Sequence, residues 1–180
     1  MTTTSGEPRV TLRRPTAADE AAFVAAMRVS ASHHHPWLYP PTTPAAYAAY
    51  LQRVAGERYD GFLARRVADD EIVGWLNISE IVRGALQSAF IGYGGVAAHA
   101  GRGYMTEALT QLVDHAFGEL GLHRLEANIQ PDNASSIALV RRLGFAHEGF
   151  SPRYLKIGGV WRDHDRYALR AEDWRGRRSP

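Results

Sequence analysis

The chain has 180 residues, 45% of them hydrophobic and 22% charged, with a formal net charge of only +2. That length and composition describe one globular domain with a substantial core, and no apolar run is long enough to span a membrane. Cysteine is absent, which excludes disulfides, thiolate metal sites and a cysteine nucleophile.

The first residues, MTTTSGEPRV, lack the basic and apolar regions of a signal peptide, so a cytoplasmic location is expected. Residues 1–8 read as a disordered N-terminus, 9–174 as the folded domain and 175–180 as a basic, solvated tail. A nucleic-acid-binding face would interleave basic and aromatic residues. No such face can be assembled, and neither nucleic acid nor membrane is expected as a partner.

Val10 and Leu12 alternate with polar neighbours in RVTLRR and predict a first strand. Pro15 ends it. Thr16 then caps a helix running to Met27, with Asp19 and Glu20 in the first turn, where the dipole favours acids. Residues 32–41, SHHHPWLYPP, carry prolines that prevent a regular helix. Adjacent histidines in a loop do not converge readily on one ion, and no acidic partner is near, so no metal is expected. Trp37 and Tyr39 are candidates to line a cleft. Thr43 and Pro44 open an Ala- and Tyr-rich helix that ends near Gly56. GFLARRVA (61–68) and EIVGWLNISEIV (71–82) are rich in branched and aromatic residues and read as strands joined by a turn. Arg83 and Gly84 turn the chain into a third strand, ALQSAFIGYGGV (85–96).

That meander runs into YGGVAAHAGRGYMTEAL, residues 93–109, an extended end, a loop holding Gly101 and Gly103, and a helix start. Glycine lets the backbone approach a ligand closely. The first helical N–H groups lack intrahelical partners and, with the dipole, attract an anion. Arg102 adds a positive charge. The bare pattern equally fits a loop that merely turns the chain into a helix. Gly94-Gly95 fits either a plain strand end or a place of close backbone approach.

Met105, Ala108, Leu109, Leu112, Ala116 and Leu120 recur at helical spacing, and Gly121 marks the stop. HRLEANIQ (123–130) reads as a buried strand and Pro131-Asp132 as a turn. Asn133 caps a short helix that ends at Gly144-Phe145. Two last strands, near 146–157 and 160–170, meet at Gly158-Gly159, a hairpin signal. The expected fold is a single-domain α/β sandwich. Its mixed, mostly antiparallel sheet has about seven strands and is flanked by about four helices, with a right-handed crossover at the central strand-loop-helix-strand unit.

This order and these motifs resemble the GCN5-related N-acetyltransferases (GNAT). The family loop is Gln or Arg, two residues, Gly, one residue, then Gly or Ala. The corresponding segment is Ala100-Gly101-Arg102-Gly103-Tyr104-Met105. The second hallmark, an Asn opening the next helix and a Gly-Phe closing it, is Asn133 and Gly144-Phe145. Pro36-Trp37, VRG at 82–84, GY at 92–93, GYMTEAL at 103–109 and WRDH at 161–164 are similar to the RimJ/RimL-like branch, the N-terminal acetyltransferases of ribosomal proteins. The likeness covers about residues 9–174. Ala100 departs from the family's Gln or Arg. Val140 stands where many relatives carry a tyrosine as general acid, so a mechanism that needs that tyrosine cannot operate.

The resemblance implies acetyl transfer from acetyl-CoA to a primary amine. It implies cofactor contacts at Gly95, Val96, Gly101, Arg102, Gly103, Tyr104, Met105, Asn133 and Ser136, with no metal. Ser136 is the candidate for protonating the leaving thiolate. No single base stands out. Asn128, at the position of a glutamate in some relatives, can orient a water but cannot take a proton. Glu126 lies two residues earlier on the same strand face, and Glu80 is a further acid near the expected cleft. Glu107 fits a first-turn acid held by the helix dipole. The expected acceptor is a peptide or protein α-amine, including a ribosomal protein's. The alternatives are a small amine (an antibiotic, a polyamine or an amino-acid derivative) and a sensor that binds acyl-CoA without catalysis. A homodimer is compatible with the branch.

Overall fold

The structure is a computed structural model and describes residues 7–178. The expected disordered stretch 1–8 therefore falls mostly outside the described residues, as do the last two positions of the expected tail, 179–180. A seven-stranded mixed sheet, in the order β1-β2-β3-β4-β5-β7-β6, forms the frame. The strands are β1 (Val10–Arg13), β2 (Tyr59–Arg66), β3 (Ile72–Val82), β4 (Ser88–Gly95), β5 (Arg124–Ile129), β6 (Ala146–Ile157) and β7 (Val160–Arg170). The pairing of β4 with β5 is parallel and all others are antiparallel. The helices are α1 (Glu20–Val29), α2 (Ala31–His34), α3 (Pro44–Val54), α4 (Tyr104–Gly118), α5 (Ala134–Leu143) and α6 (Ala171–Arg178).

Among the described residues six helices stand where about four were expected. α2 is a single turn that ends just before Pro36, so the prolines stop it without preventing it. α6 occupies much of the stretch read as a solvated tail. Trp174 explains it: the indole is buried in the main core and Nε1 donates to Asp114 Oδ1 at 2.8 Å. The first helix also starts differently. Thr16 leads into a 3-10 turn, Ala17–Asp19, before α1. Asp19 Oδ2 accepts from the Thr16 backbone N–H at 2.8 Å and from its hydroxyl at 2.9 Å.

The sheet pleat sorts side chains into two cores. On β2, Phe62 and Ala64 enter one cluster and Leu63 the other. The larger cluster buries Leu109, Leu112, Val113 and Ala116 of α4, with Val140 and Leu143 of α5. The smaller buries Phe23 and Met27 of α1 against Tyr47 and Tyr50 of α3. Each fully buried Leu or Val side chain contributes roughly 1.5–3 kcal/mol relative to exposure. The Gly158-Gly159 turn closes β6 onto β7 with Ile157 opposite Val160, as the hairpin signal predicts.

Candidate active site

The parallel pairing of β4 and β5 is short. Ser88, Ala89 and Phe90 face Arg124, Leu125 and Glu126, and there it ends. β4 continues along β3 as far as Gly95, and β5 continues along β7 as far as Ile129. Between them the sheet opens. The open seam, the loop before α4 and the first turn of α5 enclose a cleft of about 660 Å³. Tyr93, Gly95, Gly101, Gly103, Asn133 and Ser136 are among its lining residues.

Val96 lines the cleft, and its N–H donates to Val73 O at 2.9 Å, which ties that group to β3. Strand alternation turns the Gly95 carbonyl the other way, into the seam. His34 Nε2 sits 2.8 Å from that carbonyl oxygen. Of the three neighbouring histidines, His33 and His35 are exposed and His34 is buried. Burial holds the His34 ring below the usual histidine pKa, with His33 adding to the effect. Gly94 and Gly95 of β4 answer to close approach, lying opposite Trp75 and Gly74 of β3. A Cβ on Gly94 would meet the Trp75 ring at 2.8 Å, and one on Gly95 would meet Met105 Cγ at 3.2 Å.

The glycine loop has the expected form. Gly101 and Gly103 have φ of 75° and 83°, and Gly103 is the N-cap of α4. Thr106 N–H and Glu107 N–H both donate to the Gly103 carbonyl, at 3.1 and 3.2 Å. The N–H groups of Tyr104 and Met105 precede these first intrahelical bonds and lie at the positive end of the dipole. Glu107 accepts from Arg9 Nε at 2.6 Å, a tie between helix start and β1. Arg102 is exposed and does not line the cleft. The guanidinium that does is Arg142 of α5, with Nη1 3.3 Å from Thr106 Oγ1. Its sequence signal is the three-residue spacing Asn133, Ser136, Leu139, Arg142, all at the cleft.

Asn133 caps α5: its Oδ1 accepts from Ser136 N–H at 3.2 Å and from Ser135 Oγ at 3.1 Å. Ser136 Oγ lies 2.6 Å from the Tyr93 hydroxyl. Burial raises the Tyr93 phenol to about 12. Val140 is fully buried in the core.

The candidate bases fall elsewhere. Glu80 has a positive φ of 52°, is half exposed, and pairs with Arg58 Nη2 at 2.5 Å. Glu126 Oε1 pairs with Arg124 Nε at 2.8 Å. Neither lines the cleft, and Asn128 does not line it either. Leu125, Ala127 and Ile129 point into the main core, so Glu126 and Asn128 share the opposite sheet face, as their spacing predicts. Asn128 Oδ1 is buried and without a hydrogen-bond partner among the described residues. Of the aromatics expected at a cleft, Trp37 lines it, while Tyr39 is exposed and packs beside Gly158.

Residues 9–146 match the model of the acetyltransferase (GNAT) domain. The chain belongs to the GNAT acetyltransferase family. The probable N-acetyltransferase YjcK of Bacillus subtilis (strain 168) is 42% identical over 120 residues, 67% of this chain and 66% of that protein. The [ribosomal protein uS5]-alanine N-acetyltransferase of Escherichia coli (strain K12) is 41% identical over 106 residues, 59% of this chain and 55% of that protein. The matched region thus spans between 55% and 66% of the length of these curated relatives. Among solved structures, Mycobacterium smegmatis RimJ in complex with CoA-disulfide superposes with a TM-score of 0.84 at 34% identity, over 91% of this chain and 83% of that one. Ribosomal-protein-S5-alanine acetyltransferase from Vibrio fischeri gives 0.81 at 25% identity, over 92% and 95%. These relatives put the GNAT chain on the RimJ/RimL-like branch. Its glycine loop and capped α5 stand where the two sequence motifs lie, on either side of the open seam.

Proposed function

We propose that this GNAT chain transfers the acetyl group of acetyl-CoA to the α-amine of a protein or peptide N-terminus, with a ribosomal protein in the cytoplasm as acceptor. The observation that carries the reading is the opening of β4 from β5 directly beside the Gly101–Gly103 loop. An open strand edge can pair with an extended amide-bearing arm, and the helix start can take a pyrophosphate. Gly101, Gly103, Tyr104 and Met105 would hold the phosphates through backbone groups, Gly95 the arm, and Asn133 and Ser136 the thioester end. Arg142 supplies the charge that Ala100 does not.

What the cleft lacks supports this acceptor class. Among the described residues, those that line the cleft include no Asp or Glu. An α-amine, with a pKa near ~8, is partly neutral at physiological pH, whereas a lysine amine near ~10.4 needs a base. A cleft without a carboxylate suits the first, and it also lacks the negative charge that would select a polycation. The name of the Escherichia coli relative points further, to an N-terminal alanine.

The test follows thiol release from acetyl-CoA with three acceptors: a peptide beginning with alanine, the same peptide N-acetylated, and spermidine. Release with the free N-terminus alone is expected. Release with spermidine alone would transfer the assignment to small amines. Acetyl-CoA binding without release on any of the three would favour a sensor over a transferase.

A further inference from the structure

The seam holds a hydroxyl pair: Ser136, the candidate donor to the leaving thiolate, and Tyr93, whose hydroxyl has been given no role. Tyr93 lies on β4, three positions past Phe90, where pairing with β5 stops. Its ring packs against the main core, and its hydroxyl reaches Ser136 Oγ across the cleft at 2.6 Å. Ser136 is held from the other side as well, because its backbone N–H is bound by the Asn133 cap. Both residues line the cleft. A phenol is a stronger hydrogen-bond donor than an alkyl alcohol, and the alcohol oxygen is the stronger acceptor. Tyr93 O–H therefore donates to Ser136 Oγ. The remaining Ser136 proton is then directed away from the phenol, toward open cleft.

We propose that Tyr93 is a positioning residue that fixes the Ser136 hydroxyl as a hydrogen-bond donor to the sulfur of CoA. The inference rests on the acetyltransferase reading and adds to it a strand-borne phenol that orients Ser136, where Val140 leaves no phenol on the helix. When the tetrahedral adduct collapses, the C–S bond breaks and its electron pair stays on sulfur. The amine nitrogen keeps its new bond to carbon and loses its proton to water. Ser136 O–H donates to the thiolate, and the proton that finally neutralises the sulfur comes from solvent. Tyr93 and Ser136 end the cycle with the protons they began with. Full transfer from the phenol is not required: burial puts it near about 12, well above an ordinary thiol at about 8.5. A hydrogen bond to a charged partner is stronger than one to a neutral partner, so the pair favours the thiolate over the thioester.

The test needs no acceptor amine. Binding of CoA and of acetyl-CoA is measured by calorimetry between about pH 6.5 and pH 9.5, a range that brackets a thiol pKa of about 8.5. For the wild-type chain, CoA affinity rises with pH relative to acetyl-CoA by about 10- to 100-fold, the worth of one charge-assisted hydrogen bond. Ser136→Ala removes the rise, and Ser136→Thr, which keeps the hydroxyl, restores it. Tyr93→Phe weakens the rise, and Tyr93→Phe in the Ser136→Ala background changes nothing further. A Tyr93→Phe chain with the full pH response would overturn the proposal, as would additive effects in the double variant. A wild-type chain that binds both ligands with no difference in pH response would also overturn it, while leaving the transferase reading intact. Failure to bind either ligand would remove the transferase reading, and the pair's role with it.

Discussion

His34 Nε2 lies 2.8 Å from the carbonyl oxygen of Gly95, and that contact fixes the proton on the ring. A carbonyl only accepts, so Nε2 carries the hydrogen and Nδ1 presents a lone pair. Nδ1 is buried without a hydrogen-bond partner among the described residues. The neutral ring thus ties α2 to the last residue of β4.

This arrangement sets the sign of a pH effect. The folded His34 pKa is lowered, so the unfolded chain binds the proton more readily. The stability it contributes is complete above the unfolded value of about 6.5 and declines as pH falls below it. The buried His164, lowered by its own burial, acts in the same sense. Thermal unfolding should show a falling midpoint between about pH 7.5 and pH 5.5, a window that spans the unfolded pKa. His34→Gln should flatten that slope, and an unchanged slope would refute the assignment.

Gly103 is the next point of leverage. Its φ of 83° strains any other residue, and a Cβ there would sit 3.2 Å from Arg9 Nη2. Gly103→Ala should cost ~1–2 kcal/mol of stability. It should also disturb the N–H groups at the α4 start and weaken acetyl-CoA binding by at least ~10-fold, equivalent to ~1.4 kcal/mol. Gly103→Trp should abolish binding. Gly118→Ala, in the same helix with open space at its Cβ, is the control and should bind normally. Calorimetric titration of the three variants decides it.

Asn133 combines a cap with a proposed ligand contact, and two substitutions separate them. Asn133→Ala removes the acceptor for Ser136 N–H and should cost about 1 kcal/mol. Asn133→Asp keeps an acceptor oxygen and should retain the melting temperature. It should nonetheless bind acetyl-CoA more weakly, because it loses the amide donors and adds charge beside an anionic ligand. Equal binding by Asn133→Asp and wild type would reduce Asn133 to a cap.

Trp174 makes α6 part of the core. It is 7% exposed and donates to Asp114. Trp174→Ala should destabilise by ~3–5 kcal/mol, read by urea denaturation. Trp174→Phe keeps most of the packing and forfeits the hydrogen bond, so it should cost about 1 kcal/mol.

Much of this was legible in the chain. Alternation located β1, branched and aromatic composition located β2 and β3, the glycine pair located the β6–β7 hairpin, and helical spacing located α4, which buries one face. Gly101, Gly103 and Asn133 were legible because backbone conformation and capping restrict residue choice. α6 was not, since its burial rests on Ala171 and Trp174 and arginines follow them. Nor was the choice among the three histidines, which local sequence cannot rank; the fold selects His34 by bringing Gly95 to it. Glu80 and Glu126 were readable as acids on suitable strands, but their partners Arg58 and Arg124 are visible only in three dimensions. Tyr93 packs on the core, and only the fold shows that its hydroxyl emerges at Ser136.

The open seam also divides the molecule along its own sequence. β1 to β4 come from residues 10–95 and β5 to β7 from residues 124–170, with α4 in the connection between them. The strands of the two halves meet over the register pairs Ser88–Arg124, Ala89–Leu125 and Phe90–Glu126 alone. The sheet is therefore two sewn panels, and a molecule seated in the gap acts as an added stitch. Its binding energy is added where the two halves share the fewest strand pairs, on top of the main core that already runs through both, so saturation with ligand should raise the midpoint of unfolding.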